Sequence, residues 1–509
     1  MLFSSFAFIA GFMPLALLGY LVCARIGQRA GALWLVAASL GFYAYWKLAF
    51  LPLLLISIAF NFGIGVLLDR TAARPRLQSA VFIGGIAGDL LALAYYKYAM
   101  ALFASIGVAS IGGATFTDIV LPLGISFFTF TQIGYLVDVK QGVARNRDPL
   151  SYVLFVTFFP HLIAGPILHN REMMPQFADP ATYRFSSSNF AVGLTIFFMG
   201  LAKKVLLADP LSADVAANFA QAETAGLVVA WWAVIGYSLQ LYFDFSGYSD
   251  MAIGLARMFN IRFPLNFNSP YKSTTVIEYW QRFHMTLTRF ITAYIFNPML
   301  LWVTRLRSAR GLDNSKRSYA KVGGFASLLA APTLITMGLA GVWHGAGLQY
   351  LIFGLLHGSY IVVNHAVKVF FPVKKSAAPR PEWARTAVHA AKVLAVYVAA
   401  LVAFAFFRAS STTAALHVLA GMAGLHGVGG GLPLAVALQL VVLFVIVWFA
   451  PNTQQIMNQY EPALGRPIAN PYPRLTWRPA SPWALACGVV AALGILALGG
   501  TTEFLYFQF

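Results

Sequence analysis

Charge is what this sequence has least of. Of its 509 residues only 10% are charged, while 59% are hydrophobic, a balance that soluble globular domains do not reach. A water-solvated enzyme is thereby excluded. Cysteine is almost missing as well. Cys23 and Cys487 stand far apart in apolar stretches, which rules out a disulfide framework and leaves both as packing residues. There is no His-Glu-x-x-His pair, no phosphate-cradling glycine loop ending in lysine, and no Gly-x-Ser-x-Gly elbow. Zinc hydrolysis, nucleotide hydrolysis and an esterase of the common fold lose their usual signatures. Strands alternating apolar and polar residues are not found, which disfavours a membrane barrel. The first apolar run lacks a positively charged leader and a small-residue cleavage site, and Val22 before Cys23 makes a poor lipoprotein site. It is expected to remain as an uncleaved transmembrane helix.

Long apolar runs are what the chain has instead. Crossing roughly 30 Å of hydrocarbon takes about 20 residues as a helix, and the sequence offers many such runs. The fold class read from this is all-α, a polytopic integral membrane protein with one large helical membrane domain. Spans are expected over 5–23, 31–46, 50–68, 80–106, 119–138, 190–208, 226–245, 348–370, 388–408, 432–450 and 483–499, with a further segment ending at His344. Residues 151–167 are apolar but short, contain Pro160 and His161, and break at Ala164-Gly-Pro-Ile167, as a re-entrant segment does.

The net charge of +18 does not point to nucleic acid, because the basic residues lie in short connections. Arg25 and Arg29, then Arg70, Arg74 and Arg76, then Lys140, Arg145 and Arg147 occupy alternate loops, while 109–118 carries only Asp118. By the positive-inside rule these basic loops are cytoplasmic and the N-terminus is outside. The strongest basic stretch is 304–322, with Arg305, Arg307, Arg310, Lys316, Arg317 and Lys321. It suits an acidic partner or anionic lipid headgroups.

Polar side chains gather in the middle. Asp244 and Asp250 flank Ser246-Gly-Tyr-Ser, read as a turn whose carboxylates cap helix N-termini or bind a cation. Further on, Trp280, His284 and Thr288 are spaced to share one helix face, with Glu278, Arg282 and Arg289 on another. His284 is either a structural hydrogen-bonding group or a substrate-positioning one. His344 follows Trp343 and sits among Gly341, Gly345 and Gly347 inside an apolar segment. An ionisable ring at membrane depth is a functional candidate by default, and an imidazole takes and returns a proton near neutrality. The other reading of His344 is a structural histidine bonded across a glycine-rich packing face.

Several separated blocks resemble the membrane-bound O-acyltransferase family, most closely its bacterial branch of alginate O-acetylation and lipoteichoic-acid D-alanyl-transfer proteins. They are Leu121-Pro-Leu-Gly-Ile-Ser-Phe-Phe-Thr-Phe, Leu162-Ile-Ala-Gly-Pro-Ile, Tyr242-Phe-Asp-Phe-Ser-Gly-Tyr-Ser-Asp-Met-Ala-Ile-Gly, Asn266-Phe-Asn-Ser-Pro-Tyr, Tyr279-Trp-Gln-Arg-Phe-His-Met-Thr-Leu and Gly341-Val-Trp-His-Gly-Ala. The chain departs from the alginate type at Phe290-Ile-Thr-Ala-Tyr-Ile-Phe-Asn-Pro298, although its terminal Phe-Leu-Tyr-Phe-Gln-Phe is similar to the end of such members.

The resemblance implies a ring of transmembrane helices with re-entrant segments around a central tunnel. Its N-terminal helices would span 1–118, a catalytic core 119–370 and C-terminal helices 371–509. It implies that His344 is the essential histidine and His284 the second, with Trp343, Trp280, Gln281, Thr288, Asn268, Asp244 and Ser246 as substrate-binding residues. No tightly bound cofactor and no metal are expected. The donor is an acetyl-coenzyme A or acyl carrier protein thioester arriving from the cytoplasm, the setting the bacterial inner membrane and its lipid, and the acceptor a hydroxyl of an exported polysaccharide or of an extracytoplasmic partner protein that acylates it. Two rivals remain on the sequence: a proton-coupled transporter, for which no internal repeat is found, and an export-complex scaffold recruiting partners through 304–322.

Overall fold

The computed structural model describes all residues except 106–109, 112–113, 116–119, 145–147, 373–380, 500–504 and 506–509. The expectations that fall on Asp118, Arg145, Arg147 and most of the C-terminal sequence lie outside the described residues.

Helices dominate; the strands among the described residues are one short antiparallel pair, Ser110–Ile111 with Ala114–Thr115. Among the described residues eight helices have the length and apolarity to cross a membrane, among them Ser187–Ala220, Leu227–Met258, Val322–His344, Leu348–Phe370 and Glu382–Arg408. Other expected spans are shorter. Gln28–Ala44 has 17 residues, and Ile125–Lys140, Leu434–Phe449 and Ser481–Leu496 have 16 each, about 24 Å at 1.5 Å per residue. The 151–167 region is broken as expected, into Pro149–Thr157 and Phe159–Leu162 with Pro160 in the second piece.

Helix starts are written locally. Asp148, Ser186, Thr275 and Ser411 each accept a hydrogen bond from the backbone N–H three residues on, satisfying donors that the first turn leaves open. Proline fills the first turn of many helices, including Ala331–His344 and Ser481–Leu496, where its missing N–H costs nothing.

The chain divides into two compact units, each discontinuous in sequence. One comprises Met1–Leu206, Asp244–Leu265 and Thr453–Thr502; the other Leu207–Phe243, Asn266–Asn452 and Glu503–Phe509. The divisions expected at 118 and 370 run along the chain, whereas these units are interleaved.

The first unit has an aromatic core in which Phe8, Phe42 and Phe159 meet at 5.5–6.2 Å between ring centres. It also corrects the reading of Asp244 and Asp250. No turn separates them. Both lie inside one 32-residue helix, Leu227–Met258, so neither is an N-cap. Gly247 is a packing residue: a Cβ there would stand 2.7 Å from Gly200 O, and one on Gly200 would stand 2.6 Å from Gly247 O. The two helices touch backbone to backbone, as small residues allow in membranes. The cation each carboxylate holds is a lysine. Lys204 pairs with Asp244 at 2.9 Å with both side chains almost fully buried, and Lys203 pairs with Asp250 at 2.6 Å. Gln454 Nε2 also donates to Asp250. Buried charges of this kind persist only when paired and hydrogen-bonded.

Candidate active site

The second unit holds both histidines singled out in the sequence, each at a helix boundary. Trp280, His284 and Thr288 do not share one helix. Helix Val276–Trp280 ends, and Met285–Ile291 begins after His284. His284 itself has φ +45°, ψ +52°, a left-handed conformation uncommon for a residue with a side chain. Such outliers persist where the surroundings over-determine them.

Here the surroundings are the 266–268 segment. Met285 N–H donates to Asn266 O and Asn268 N–H to Arg282 O, clamping the break on both sides. Asn266, fully buried, turns its side-chain oxygen to three donors: Thr286 N–H at 3.3 Å, Thr286 Oγ1 at 2.8 Å and His284 Nδ1 at 3.1 Å. An amide oxygen only accepts. Nδ1 therefore carries the proton, and Nε2 carries the lone pair.

The remaining residues of this block are distributed unequally. Thr288 Oγ1 donates to Trp280 O at 2.9 Å, tying the two half-helices across the break. Glu278 and Arg282 form the expected ion pair at 2.7 Å, and Glu278 also accepts from Thr274. Asn268 Oδ1 accepts from Asn452 at 3.1 Å. Gln281 is exposed.

His344 is the last residue of helix Ala331–His344, and Gly345 leaves it fully extended at φ −172°. The helix break expected at the glycines is real, and the glycines around it divide the work. A Cβ on Gly341 would strike Tyr350 O, one on Gly354 would strike Met337 O, and one on Gly345 would strike the Tyr350 ring. Helices Ala331–His344 and Leu348–Phe370 are thus packed at glycine contact distance, and the turn between them delivers the imidazole. Its ring is buried against Trp343 at 4.8 Å, Phe407 at 4.9 Å and Phe353 at 6.2 Å.

Phe353 connects the two histidine blocks. It lies 4.8 Å from His357, whose ring is stacked on Tyr279 at 5.9 Å and meets Trp280 edge-on at 5.1 Å. A continuous run of rings therefore leads from His344 through Phe353 and His357 to Trp280, four residues before His284. His357, Phe353 and Phe407 were not singled out from the sequence as site residues. Asn266 was quoted only as part of a motif, and its role as the holder of His284 depends on a loop returning across a helix break.

Asp244 and Ser246, the other residues expected to bind substrate, belong to the first unit. Asp244 is engaged by Lys204, and the Ser246 hydroxyl is buried with no hydrogen-bond partner among the described residues.

Comparison with known proteins decides the family. A profile of the membrane-bound O-acyltransferase family matches residues 138–312. The chain is 37% identical over 461 residues to a peptidoglycan O-acetyltransferase of Helicobacter pylori, covering 84% of this chain and 81% of that one. This chain belongs to the membrane-bound O-acyltransferase family. It is 35% identical over 428 residues to a probable alginate O-acetylase of Pseudomonas aeruginosa, covering 83% of this chain and 75% of that one. A teichoic acid D-alanyltransferase of Bacillus subtilis is 28% identical over 46% of this chain and 56% of its own. The O-acyltransferase is thus a multi-pass membrane enzyme of the bacterial branch expected from its motifs. The family profile takes in the His284 block and ends before His344.

Proposed function

We propose that this O-acyltransferase moves a short acyl group, acetyl in the first instance, from a cytoplasmic thioester to a hydroxyl on the far side of the inner membrane. That hydroxyl belongs to an exported polysaccharide or to an extracytoplasmic partner protein that modifies one. The observation that carries the reading is the placing of two imidazoles at two helix breaks of one unit, with packed rings leading from His344 to Trp280, four residues before His284, and with His284 fixed in tautomer by Asn266.

His344 is the general base. It accepts the hydroxyl proton as that oxygen attacks the thioester carbonyl; the tetrahedral adduct then collapses, the C–S bond breaks, and the proton passes to the departing sulfur. Such acid/base assistance contributes roughly 10²- to 10⁴-fold. His284 presents its Nε2 lone pair, which suits orienting the hydroxyl of the acceptor better than polarising a carbonyl. The similarity to a peptidoglycan O-acetyltransferase and a probable alginate O-acetylase supports acetyl as the group and an envelope polymer as its destination.

The test is transfer of radiolabelled acetyl by purified protein in phospholipid vesicles, with donor on one side and acceptor on the other. His344→Ala should lose transfer by the factor above. Wild-type rates in that variant would remove His344 from the chemistry, and absence of transfer from any thioester by the wild type would remove the function.

A further inference from the structure

His357 packs between the two histidine blocks but has no chemical part in the transfer described above. It is 1% exposed, and neither Nδ1 nor Nε2 has a hydrogen-bond partner among the described residues. Trp280 Nε1 and the Tyr279 hydroxyl, on the two rings packed against it, share this condition. Leaving one buried polar group unsatisfied costs about 1–3 kcal/mol, so natural proteins hold few of them and each calls for an explanation. Four in one ring cluster, next to the phenylalanine that touches His344, mark a place built for a guest.

The chemistry of the guest follows from the atoms. A neutral imidazole offers one donor and one acceptor, an indole a donor, a phenol both. A hydrocarbon chain satisfies none of them. An amide, which brings an N–H and a C=O together on a thin flat group, satisfies both kinds, and it packs well on aromatic faces.

The same helix continues the pattern. Residues 357, 360, 364 and 368 recur at the spacing of one helix face, and over eleven residues they rise about 16 Å. Asn364 Oδ1 is buried with no hydrogen-bond partner among the described residues, and Lys368 is exposed. Leu355 and Val363, by contrast, are exposed apolar groups off this face of the helix. The cationic end of this stripe lies beside the basic stretch, since the ring of Phe325, just past Lys321, meets Phe370 edge-on at 5.1 Å. Polarity and burial therefore change together, from exposed ammonium to carboxamide to buried imidazole, in the direction of His344.

We propose that this face of helix Leu348–Phe370 holds the phosphate-bearing, amide-containing thiol arm of the acyl donor, its phosphate at Lys368 and its amides at Asn364 and His357, an inference that rests on the transferase reading above. Coenzyme A and the prosthetic arm of an acyl carrier protein share this chemistry. His357 is here a binding residue, distinct from the base.

Equilibrium binding of coenzyme A, holo-acyl carrier protein and pantetheine to the full-length protein in phospholipid nanodiscs tests it. His357→Phe should weaken all three by tenfold or more, while His357→Gln, which keeps a donor and an acceptor, should recover most of the loss. Lys368→Ala, at an exposed position, should weaken the two phosphate-bearing ligands relative to pantetheine, which lacks phosphate, and remove the salt dependence of their binding. Whichever of coenzyme A and carrier protein binds the wild type more tightly is the source of the arm. Wild-type affinities in His357→Phe and Lys368→Ala, or no binding of any of the three by wild type, would overturn the proposal. Binding as expected without acetyl transfer would instead leave the arm site standing and remove the transferase reading.

Discussion

Asn266 Oδ1 lies 3.1 Å from His284 Nδ1 and accepts at the same time from the Thr286 backbone and hydroxyl. The Thr286 N–H orients the carboxamide, the carboxamide orients the imidazole, and the imidazole is left with its lone pair on Nε2. This is the logic of a reacting group positioned by a second and the second by a third.

Asn266→Ala should therefore lower kcat by tenfold or more with little change in donor KM, because the ring is freed to take the other tautomer. Thr286→Val removes one of the three donors and should give a smaller loss in the same direction. Steady-state transfer kinetics at varied donor concentration check both. An Asn266→Ala enzyme with unchanged kcat would show that His284 needs no holder.

The left-handed backbone of His284 separates stability from activity at one position. Asn tolerates φ near +45° far better than β-branched residues do, and a strained non-glycine residue costs about 1–3 kcal/mol. His284→Asn should fold with a Tm close to wild type, and His284→Val should be markedly less stable. Both should be inactive in acetyl transfer. Equal thermal stability of the two in detergent would mean that the backbone relaxes when the imidazole is gone.

How much of this was legible in the chain depends on the distance over which each feature is decided. The membrane-spanning runs, the broken 151–167 segment and the two histidines stand out in the sequence because apolar length, proline and a buried imidazole are local signals. The single helix face proposed for Trp280, His284 and Thr288 failed for a reason periodicity does not carry. Asn266 and Asn268 return from an earlier segment and clamp a break that hydrophobic spacing alone does not reveal. Asp244 and Asp250 misled in the opposite sense. Serine and glycine between two carboxylates read as a turn in water, whereas here Gly247 fits against Gly200 and the lysines of a neighbouring helix neutralise both acids. His357 was passed over because its meaning lies in what surrounds it, two rings from another helix whose polar atoms also have no hydrogen-bond partner among the described residues.

The glycine contact behind His344 should be intolerant of bulk. A Cβ on Gly354 collides with the Met337 carbonyl, a backbone atom that cannot swing aside. Overpacking a well-filled interior costs about 1–3 kcal/mol, and separating these helices also moves the turn that delivers His344. Gly354→Val should lower both Tm and transfer rate, whereas valine at Gly323, around whose Cβ position nothing lies within 4 Å, should show no comparable steric loss. Thermal unfolding alongside transfer assays measures the difference.

The Lys204–Asp244 pair tests whether Asp244 acts on substrate or only on its lysine. Removing one partner of a buried ion pair leaves an uncompensated charge and costs about 3–5 kcal/mol, whereas replacing both with apolar residues of similar volume is often neutral. Asp244→Leu alone should therefore express poorly or melt early. Lys204→Met combined with Asp244→Leu should restore most of the lost stability. If the pair is structural, acetyl transfer returns with the fold in the double variant. If Asp244 contacts the acceptor, as the motif resemblance implies, the double variant is stable and remains inactive. Expression, Tm and transfer rate measured on the same three proteins separate the two outcomes, because only a substrate contact makes activity fall where stability has recovered.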